Sequence, residues 1–309
     1  MKAMKTRFSV VVPVYNRQEL VRLAIDSVLS QTLPDYELIV VDDGSTDRTP
    51  EVLRSYGARI RVIRQENQGP EVARDLGATM ANGEYIALLD SDDLLLPRAL
   101  ATYDRIIRAL DSPALIIGSV TYFQDGQSIQ PESGGDLDIE VLKYRDYLSK
   151  DVAVGLWGSN VVVKKSVLEQ AGGMRHSTPT TFHMDILDLV LRVGTYGPCV
   201  LVNRPALMAY RTHDTNSIHN VEAMVRGLYP VLEAEQRGQY PGGRSRRFDR
   251  YACIGGFTWC YFKHALRDGR PRMAFKLLID TSPMILAGAL KKIRGRLRGA
   301  CRPVRLAVE

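Results

Sequence analysis

The sequence predicts an α/β protein: a mostly parallel central sheet flanked by helices, followed by a helical C-terminal extension. Three observations predict it. Short apolar, β-branched runs alternate with helical patterns across brief connections through the first 120 residues. Clusters of polar residues follow those runs directly, where an open parallel sheet collects its ligands. Beyond Ser217 the strand-like runs stop and amphipathic helical patterns take over.

Phe8 to Val14 is the first apolar run and reads as a buried parallel strand. Tyr15, Asn16 and Arg17 follow, then a helical pattern from Gln18 to Gln31 that Pro34-Asp35 ends. Tyr36 to Val41 is the second strand, closed by Asp42-Asp43-Gly44-Ser45-Thr46-Asp47, a segment able to cap the helix that runs to Tyr56. Arg59 to Arg64 is the third strand and Gly69 to Met80 the next helix, with Gly77 as a packing position. Tyr85 to Leu89 is the fourth strand, and it ends in Asp90-Ser91-Asp92-Asp93. A core has no use for three carboxylates in four residues. Such a group repels itself unless a cation is present, and hard divalent cations take oxygen ligands. The plain alternative is a solvated acidic turn that caps the helix after Pro97.

The second half continues with a helix from Pro97 to Leu110, a strand from Ala114 to Val120 and a turn-rich stretch from Thr121 to Lys150. Gly158 to Val163 reads as a strand, followed by a helix to Ala171, a helix from His183 to Arg192 and a strand over Cys199 to Asn203. Val221 to Gln236, Ser245 to Arg267, Pro271 to Asp280 and Met284 to Leu297 then read as helices, with Gln239 to Gly243 as a linker.

Composition limits the function classes. The chain is 45% hydrophobic and 25% charged, ordinary for a globular protein with a full core. Its four cysteines show neither CxxC nor zinc-ligand spacing and read as free thiols in a reducing compartment. The net charge is +6, but Thr281 to Glu309 holds seven basic residues and one acid, so the other 280 residues balance at 34 of each sign. Basicity confined to a tail argues against a nucleic-acid partner. There is no GxGxxG after the first strand and no GxxxxGK[ST], which argues against a dinucleotide site and a P-loop. No leader and no long apolar span stand out, so the expected place is cytoplasmic.

The ordered motifs carry a resemblance. Val11-Val-Pro-Val-Tyr-Asn-Arg17, Gln31-Thr32, Val41 to Asp47, Asn67-Gln68-Gly69, Ala73-Arg74, Gly83 to Ile86 and Leu89 to Asp93 together resemble glycosyltransferase family 2, over roughly Phe8 to Asn216. The resemblance implies the GT-A fold, which is Rossmann-like. It implies a catalytic domain over 1–218, with a nucleotide-sugar half (1–120) and an acceptor half (121–218), ahead of a helical region over 219–309. It also implies a nucleotide-diphosphate sugar donor carrying UDP or dTDP. Pro13, Tyr15 and Arg17 match positions lining the base pocket, where ring stacking contributes about 1–3 kcal/mol. Asp43 matches the carboxylate that accepts from the base imide, and Arg74 and Ser91 fall within matched motifs that face the donor. Asp90 and Asp92 match the DxD motif: Asp92 would hold Mg2+ or Mn2+, with Asp90 nearer the ribose, and the cation would neutralise the departing diphosphate.

Farther on, Asp188-Leu189-Val190-Leu191-Arg192 resembles the family's helix that carries the general base. An ungapped match sets Ile186 at the usual base position. Asp185 is therefore the candidate base, on the same helical face as Asp188. Met208 to Ser217 resembles the end of the family's catalytic domain, where His213 could complete the metal shell or contact the diphosphate and Arg211 could pair with phosphate. The Thr121–Lys150 and Gly173–Phe182 loops would face the acceptor. The basic amphipathic stretch from Met284 to Leu297 could lie on an anionic membrane surface, on the inner face, or pack on the domain with its cations solvated. The function implied is a metal-dependent inverting transfer of sugar to a glycan or lipid-linked glycan in cell-surface polysaccharide synthesis. The alternative is a non-catalytic nucleotide-sugar-binding or membrane-surface scaffold of the same fold.

Overall fold

The computed structural model describes residues 6–127, 129, 138–152, 154–174, 184–213, 216, 219–298 and 301–306. The first half alternates strictly: β1 (Phe8–Val14), α1 (Leu20–Leu29), β2 (Tyr36–Asp42), α2 (Thr49–Ser55), β3 (Arg61–Arg64), α3 (Pro70–Met80) and β4 (Tyr85–Leu88). The second half contains β5 (Leu94–Leu95), α4 (Ala99–Ala109), β6 (Leu115–Phe123), β7 (Ile139–Tyr144), β8 (Val161–Lys164), α5 (Lys165–Gln170), α6 (Asp185–Arg192) and β9 (Cys199–Arg211). The C-terminal region adds α7 (Val221–Gln236), α8 (Arg247–Arg267), α9 (Pro271–Arg298) and β10 (Val304–Leu306).

The strands form one sheet in the order β10-β7-β9-β6-β8-β4-β1-β2-β3, with β5 beside β9. From β3 to β4 every pairing is parallel. Beyond β4 the sheet becomes mixed, because β8 runs antiparallel to both β4 and β6, while β6 and β9 are parallel. All seven residues of β1 are buried, as a central strand covered on both faces requires. Alternate residues go to opposite layers: Val11, Ile39 and Val41 join one core, and Val10, Val12, Leu38 and Val40 the other. Gly77 brings α3 close to the sheet, since a Cβ there would sit 2.4 Å from a Val11 methyl.

Three expectations are corrected. The Thr121–Lys150 stretch, read as turn-rich, also holds strands: β6 reaches Phe123, and β7 buries Ile139 and Val141 in one core layer and Leu142 and Tyr144 in the other. The strand at Cys199 runs on through Met208 to Arg211, so the tyrosine-arginine motif lies on the sheet. The last two helical patterns fuse into α9 with Pro283 inside it. That fusion makes 271–297 long and apolar enough, by length and composition, to cross a membrane, although neither piece reaches that length alone. The Thr281 hydroxyl bonds the Leu277 carbonyl at 2.7 Å across this stretch and is fully buried against the neighbouring helices.

The helical region is tied to the sheet by specific contacts. α9 packs on α8, and Lys291 donates to Asp249 at 2.7 Å and to the Leu148 carbonyl. Burial lowers the Lys291 pKa, and Asp249 opposes that effect. Arg246 pairs with Asp146 at 2.6 Å, and β10 extends the sheet edge along β7.

Candidate active site

The site is built where β1, β2 and β4 end together. The register sets Val14 opposite Asp42 and Val11 opposite Leu88, so the loops that follow leave the same edge of the sheet. The loop after β1 is stitched to the loop after β2. The Asn16 amide donates to Ser45 Oγ at 3.0 Å, the Arg17 amide to Thr49 Oγ1 at 3.1 Å, and Asn16 Oδ1 accepts from the Thr46 amide at 2.7 Å. Asn16 takes a positive φ of 51°, which a short polar side chain tolerates. The result holds Tyr15 out in solvent at 45% exposure. Pro13 stays buried within β1, opposite Val41.

Asp43 is nearly buried. Its Oδ1 accepts from the Gln65 side chain at 2.6 Å and the Gln68 amide at 2.9 Å, and its Oδ2 from the Gly69 amide at 2.8 Å. It therefore holds the entry to α3 in place. A carboxylate has about four acceptor positions, so three protein donors leave little capacity for a base. Asp42 is likewise engaged, by the Ser45 amide at 2.9 Å and Arg64 at 3.1 Å.

The acidic turn after β4 is the centre of the site. Arg74 of α3 lies fully buried beneath it and pairs with Asp90 at 2.5 Å and, through its other terminal nitrogen, with Asp185 at the start of α6. Burial works against the charge on Arg74, but Asp185 and Asp90 together raise its pKa above the ordinary guanidinium value. Asp90 and Asp185 are 95 residues apart in the sequence. One cation brings both to the same point. Gly158 closes over this bridge: a Cβ there would lie 2.5 Å from Asp90 Oδ2 and 2.9 Å from Arg74. Ser159 accepts from the Asp90 amide at 2.9 Å and donates to Asp93 at 2.5 Å. Ser91 is buried within the turn.

Asp92 faces the opposite way, with its Oδ2 3.2 Å from His213 Nε2. Asn216 orients that ring from the side, 3.2 Å away. Burial and then the Asp90 charge raise the Asp92 pKa, while His213 and Arg17 draw it back. Burial, Asp90 and Asp92 raise Asp93 well above the carboxylate range. Burial and mutual repulsion thus both oppose full ionisation of the turn. Among the described residues no cluster of three or more His, Cys, Asp or Glu side chains could cage a metal. The Asp92–His213 pair suits a cation that takes its other ligands from elsewhere.

Several readings of the second half change. Arg211 is not presented to a phosphate. Its amide donates to Asp93 at 3.0 Å, its Nε to the Asp92 carbonyl at 2.9 Å, its NH1 to Asp125, and its guanidinium lies over the Phe123 ring. It braces the acidic turn. Asp185 and Asp188 do not share a task. Asp188 accepts from the Tyr240 hydroxyl at 2.7 Å and pairs with Arg192 at 2.7 Å, and Arg192 satisfies the carbonyls of Ala171, Gly173 and Met174. Ile186 is core. Spacing alone could not separate the two aspartates, because both favour the first turn of one buried helix. Ser159 and Gly158 were not singled out for the site, since small residues before a strand carry no chemical signal. His183, the segment 175–182, Asp214, Thr215 and Ser217 lie outside the described residues.

Comparison with known proteins shows the family and the fold. The family model described as Glycosyl transferase family 2 matches residues 9–172. The chain is 29% identical over 195 residues to glycosyltransferase GlyG of Streptococcus pneumoniae, covering 58% of this chain and 65% of the relative. It is 28% identical over 243 residues to an uncharacterized glycosyltransferase of Rickettsia typhi, covering 74% and 73%. Among solved structures, it superposes on S. aureus TarS 1-349 bound to UDP-GlcNAc with a TM-score of 0.57 at 14% identity, covering 95% and 92% of the two chains. It superposes on the mannosyltransferase PcManGT of Pyrobaculum calidifontis, bound to GDP-Man and Mn2+, with a TM-score of 0.53 at 15% identity, covering 94% and 88%. The mixed sheet with flanking helices is the GT-A fold.

Proposed function

The chain belongs to glycosyltransferase family 2, and from that premise we propose that it transfers a sugar, with inversion, from a UDP- or dTDP-linked donor to a glycan or lipid-linked glycan. The observation that carries this reading is the Arg74 bridge. It sets Asp185 beside Asp90 on the sheet edge where the donor loops also end. Tyr15, exposed at the mouth of that edge, offers a ring for the base. Arg17, whose charge acts on Asp92, links the base side of the site to the diphosphate side.

Asp92 and His213 would hold Mg2+ or Mn2+; burial and then the Asp90 charge raise the Asp92 pKa, and a cation would offset both. When bound, the cation supplies charge neutralisation for the departing nucleoside diphosphate. Asp185 takes the proton from the attacking acceptor hydroxyl. Its Oδ2 is engaged by Arg74, which orients the carboxylate and leaves Oδ1 as the atom that receives the proton. Ser159 holds the acidic turn through Asp93 and the Asp90 amide, so the carboxylates keep their positions as charge moves. The exposed apolar residues of α9, with Arg294 and Arg296 among them, support a peripheral position on an anionic membrane surface.

The test is ligand-dependent stability. UDP with Mn2+ is expected to raise the melting temperature, and chelation to remove most of that gain. Asp92 and Asp93 titrate above the ordinary carboxylate range. Their contribution to stability is therefore present below that range and lost as pH rises through the raised values. The gain from Mn2+ should accordingly be larger at pH 8 than at pH 5. A gain that is absent, or the same with chelator present, would remove the metal-bound donor from this reading.

A further inference from the structure

A cavity of about 660 Å³ opens between the segments 147–152 and 154–157 and helices α8 and α9, walled by Val154, Leu156, Trp157, Trp259, Tyr261 and Ile285. That size is within the range of about 300–1,000 Å³ typical of ligand pockets. We propose that this cavity binds the apolar chain of a phosphate-bearing lipid acceptor. The proposal rests on the glycosyltransferase reading and specifies its acceptor.

Three features point there. The first is continuity with the acidic turn. Trp157 lines the cavity and immediately precedes Gly158, which covers the Arg74–Asp90 bridge. The Trp157 ring also lies 5.6 Å from Tyr210. Burial and then the charges of Asp93, Asp92 and Asp90 raise the Tyr210 pKa. The cavity therefore adjoins the acidic turn through Trp157 and Gly158.

The second feature is chemistry. The walls are mostly apolar, and the charged residues that line the cavity are Lys150, Lys291 and Lys292 with Asp151 and Asp249, the acids engaged by the Tyr144 hydroxyl and by Lys291 respectively. Lys292 is exposed, and Lys150 Nζ lies 3.9 Å from the Tyr147 ring centre. Lys291, by contrast, is committed to Asp249 and Leu148. Apolar walls with cations at the border suit a hydrocarbon chain that ends in phosphate better than they suit a neutral glycan.

The third feature is an exit. Ile285, Gly288, Ala289 and Lys292 all line the cavity and, at spacings of three and four, form one face of α9. The next face around carries Leu286, Leu290, Ile293 and Leu297, exposed by 59%, 41%, 52% and 82%. A chain longer than the cavity thus passes from buried apolar surface to an apolar stripe bordered by Arg294 and Arg296, the arrangement of a helix resting on an anionic bilayer.

The chain contains two tryptophans, and both line this cavity, so intrinsic fluorescence reports its occupancy. Farnesyl phosphate, titrated into the full chain below its micellar concentration, is expected to change the fluorescence saturably. Farnesol should bind more weakly, and the difference should narrow in Lys292→Ser. Gly256 lines the cavity, and a Cβ there meets nothing within 4 Å. Gly256→Leu should therefore fold and weaken farnesyl phosphate at least tenfold, with the melting shift from UDP and Mn2+ unchanged. A titration that does not saturate, or equal affinity in Gly256→Leu, overturns the proposal while an intact UDP shift leaves the donor reading standing. Lipid binding without any UDP shift would keep a lipid site but sink its role as the acceptor site.

Discussion

The two halves of the sheet assemble functional residues in different ways. From β1 to β4 the strands pair parallel with one another, and β1, β2 and β4 deliver their polar residues in the loops directly after them, so position in sequence and position in space coincide. Beyond β4 every pairing is antiparallel except that of β6 with β9, and the site receives single residues from far-apart elements: Asp185 from the start of α6, Gly158 and Ser159 from before β8, His213 from after β9. The difference has a physical cause. A parallel sheet returns each strand to the same edge through a crossover helix, whereas a mixed sheet sends successive strand ends to opposite edges. In the second half, side-chain partnerships, with Arg74 foremost, join backbone pairing such as that of β5 with β9 in drawing the site together.

The largest effect should come from the acceptor half. Replacing Asp185 by Asn keeps the side chain's shape and a hydrogen-bond acceptor for Arg74 but removes the base. Transfer is expected to fall by about 10²–10⁴-fold, with the melting shift from UDP and Mn2+ retained. If turnover is unchanged, Asp185 has no part in proton transfer and the acceptor half contributes only positioning.

Arg74→Met tests what joins the halves. It leaves Asp90 and Asp185 without their shared cation, and Arg74 and Asp185 are each no more than 8% exposed. Removing one partner from a buried pair typically costs about 3–5 kcal/mol. Partial exposure of Asp90 places the expectation near the lower figure, measured by urea unfolding. A loss below about 1 kcal/mol would mean that the halves are joined by sheet pairing and core contacts rather than by this cation.

The sequence disclosed the first half well, because carboxylates at the end of an apolar run have no core role and the same signal appears after β1, β2 and β4. It disclosed the second half in part. Asp185 and His213 stood in motif-like surroundings, but Asp188 and Arg211 carried the same signals and proved to be braces. A carboxylate that clamps Tyr240 and one that meets Arg74 have identical chemistry, and only the fold separates them. β7 was hidden within a stretch rich in Asp, Gly and Ser, and α9 was divided at Pro283, whose cost to a helix is met by packing on α8. Gly158 and Ser159 gave no signal, since what matters at Gly158 is the absence of a side chain.

That last point gives a smaller, sharper test. Gly158→Ala inserts one methyl group against Asp90 Oδ2 and Arg74. Overpacking of this kind costs about 1–3 kcal/mol. The change should weaken UDP binding in the presence of Mn2+ more than it lowers stability in the absence of ligand, because the displaced group is Asp90. Equal losses with and without ligand would make Gly158 a packing position like Gly77.

The smallest effect should come from the other aspartate of α6. Burial, followed by the Asp188 charge, holds the Tyr240 phenol protonated well above its usual range, so its hydroxyl acts as a constant donor to Asp188. Tyr240→Phe removes that donor and keeps the ring in the core. Arg192 still pairs with the carboxylate at 2.7 Å, so the cost should stay near about 1–2 kcal/mol, seen in urea unfolding. KM for the donor and kcat should not change, since Asp188 reaches the site only through the position of its helix. A fall in kcat with stability preserved would mean that Asp188 acts on the reaction, and the division of labour between Asp185 and Asp188 would have to be redrawn.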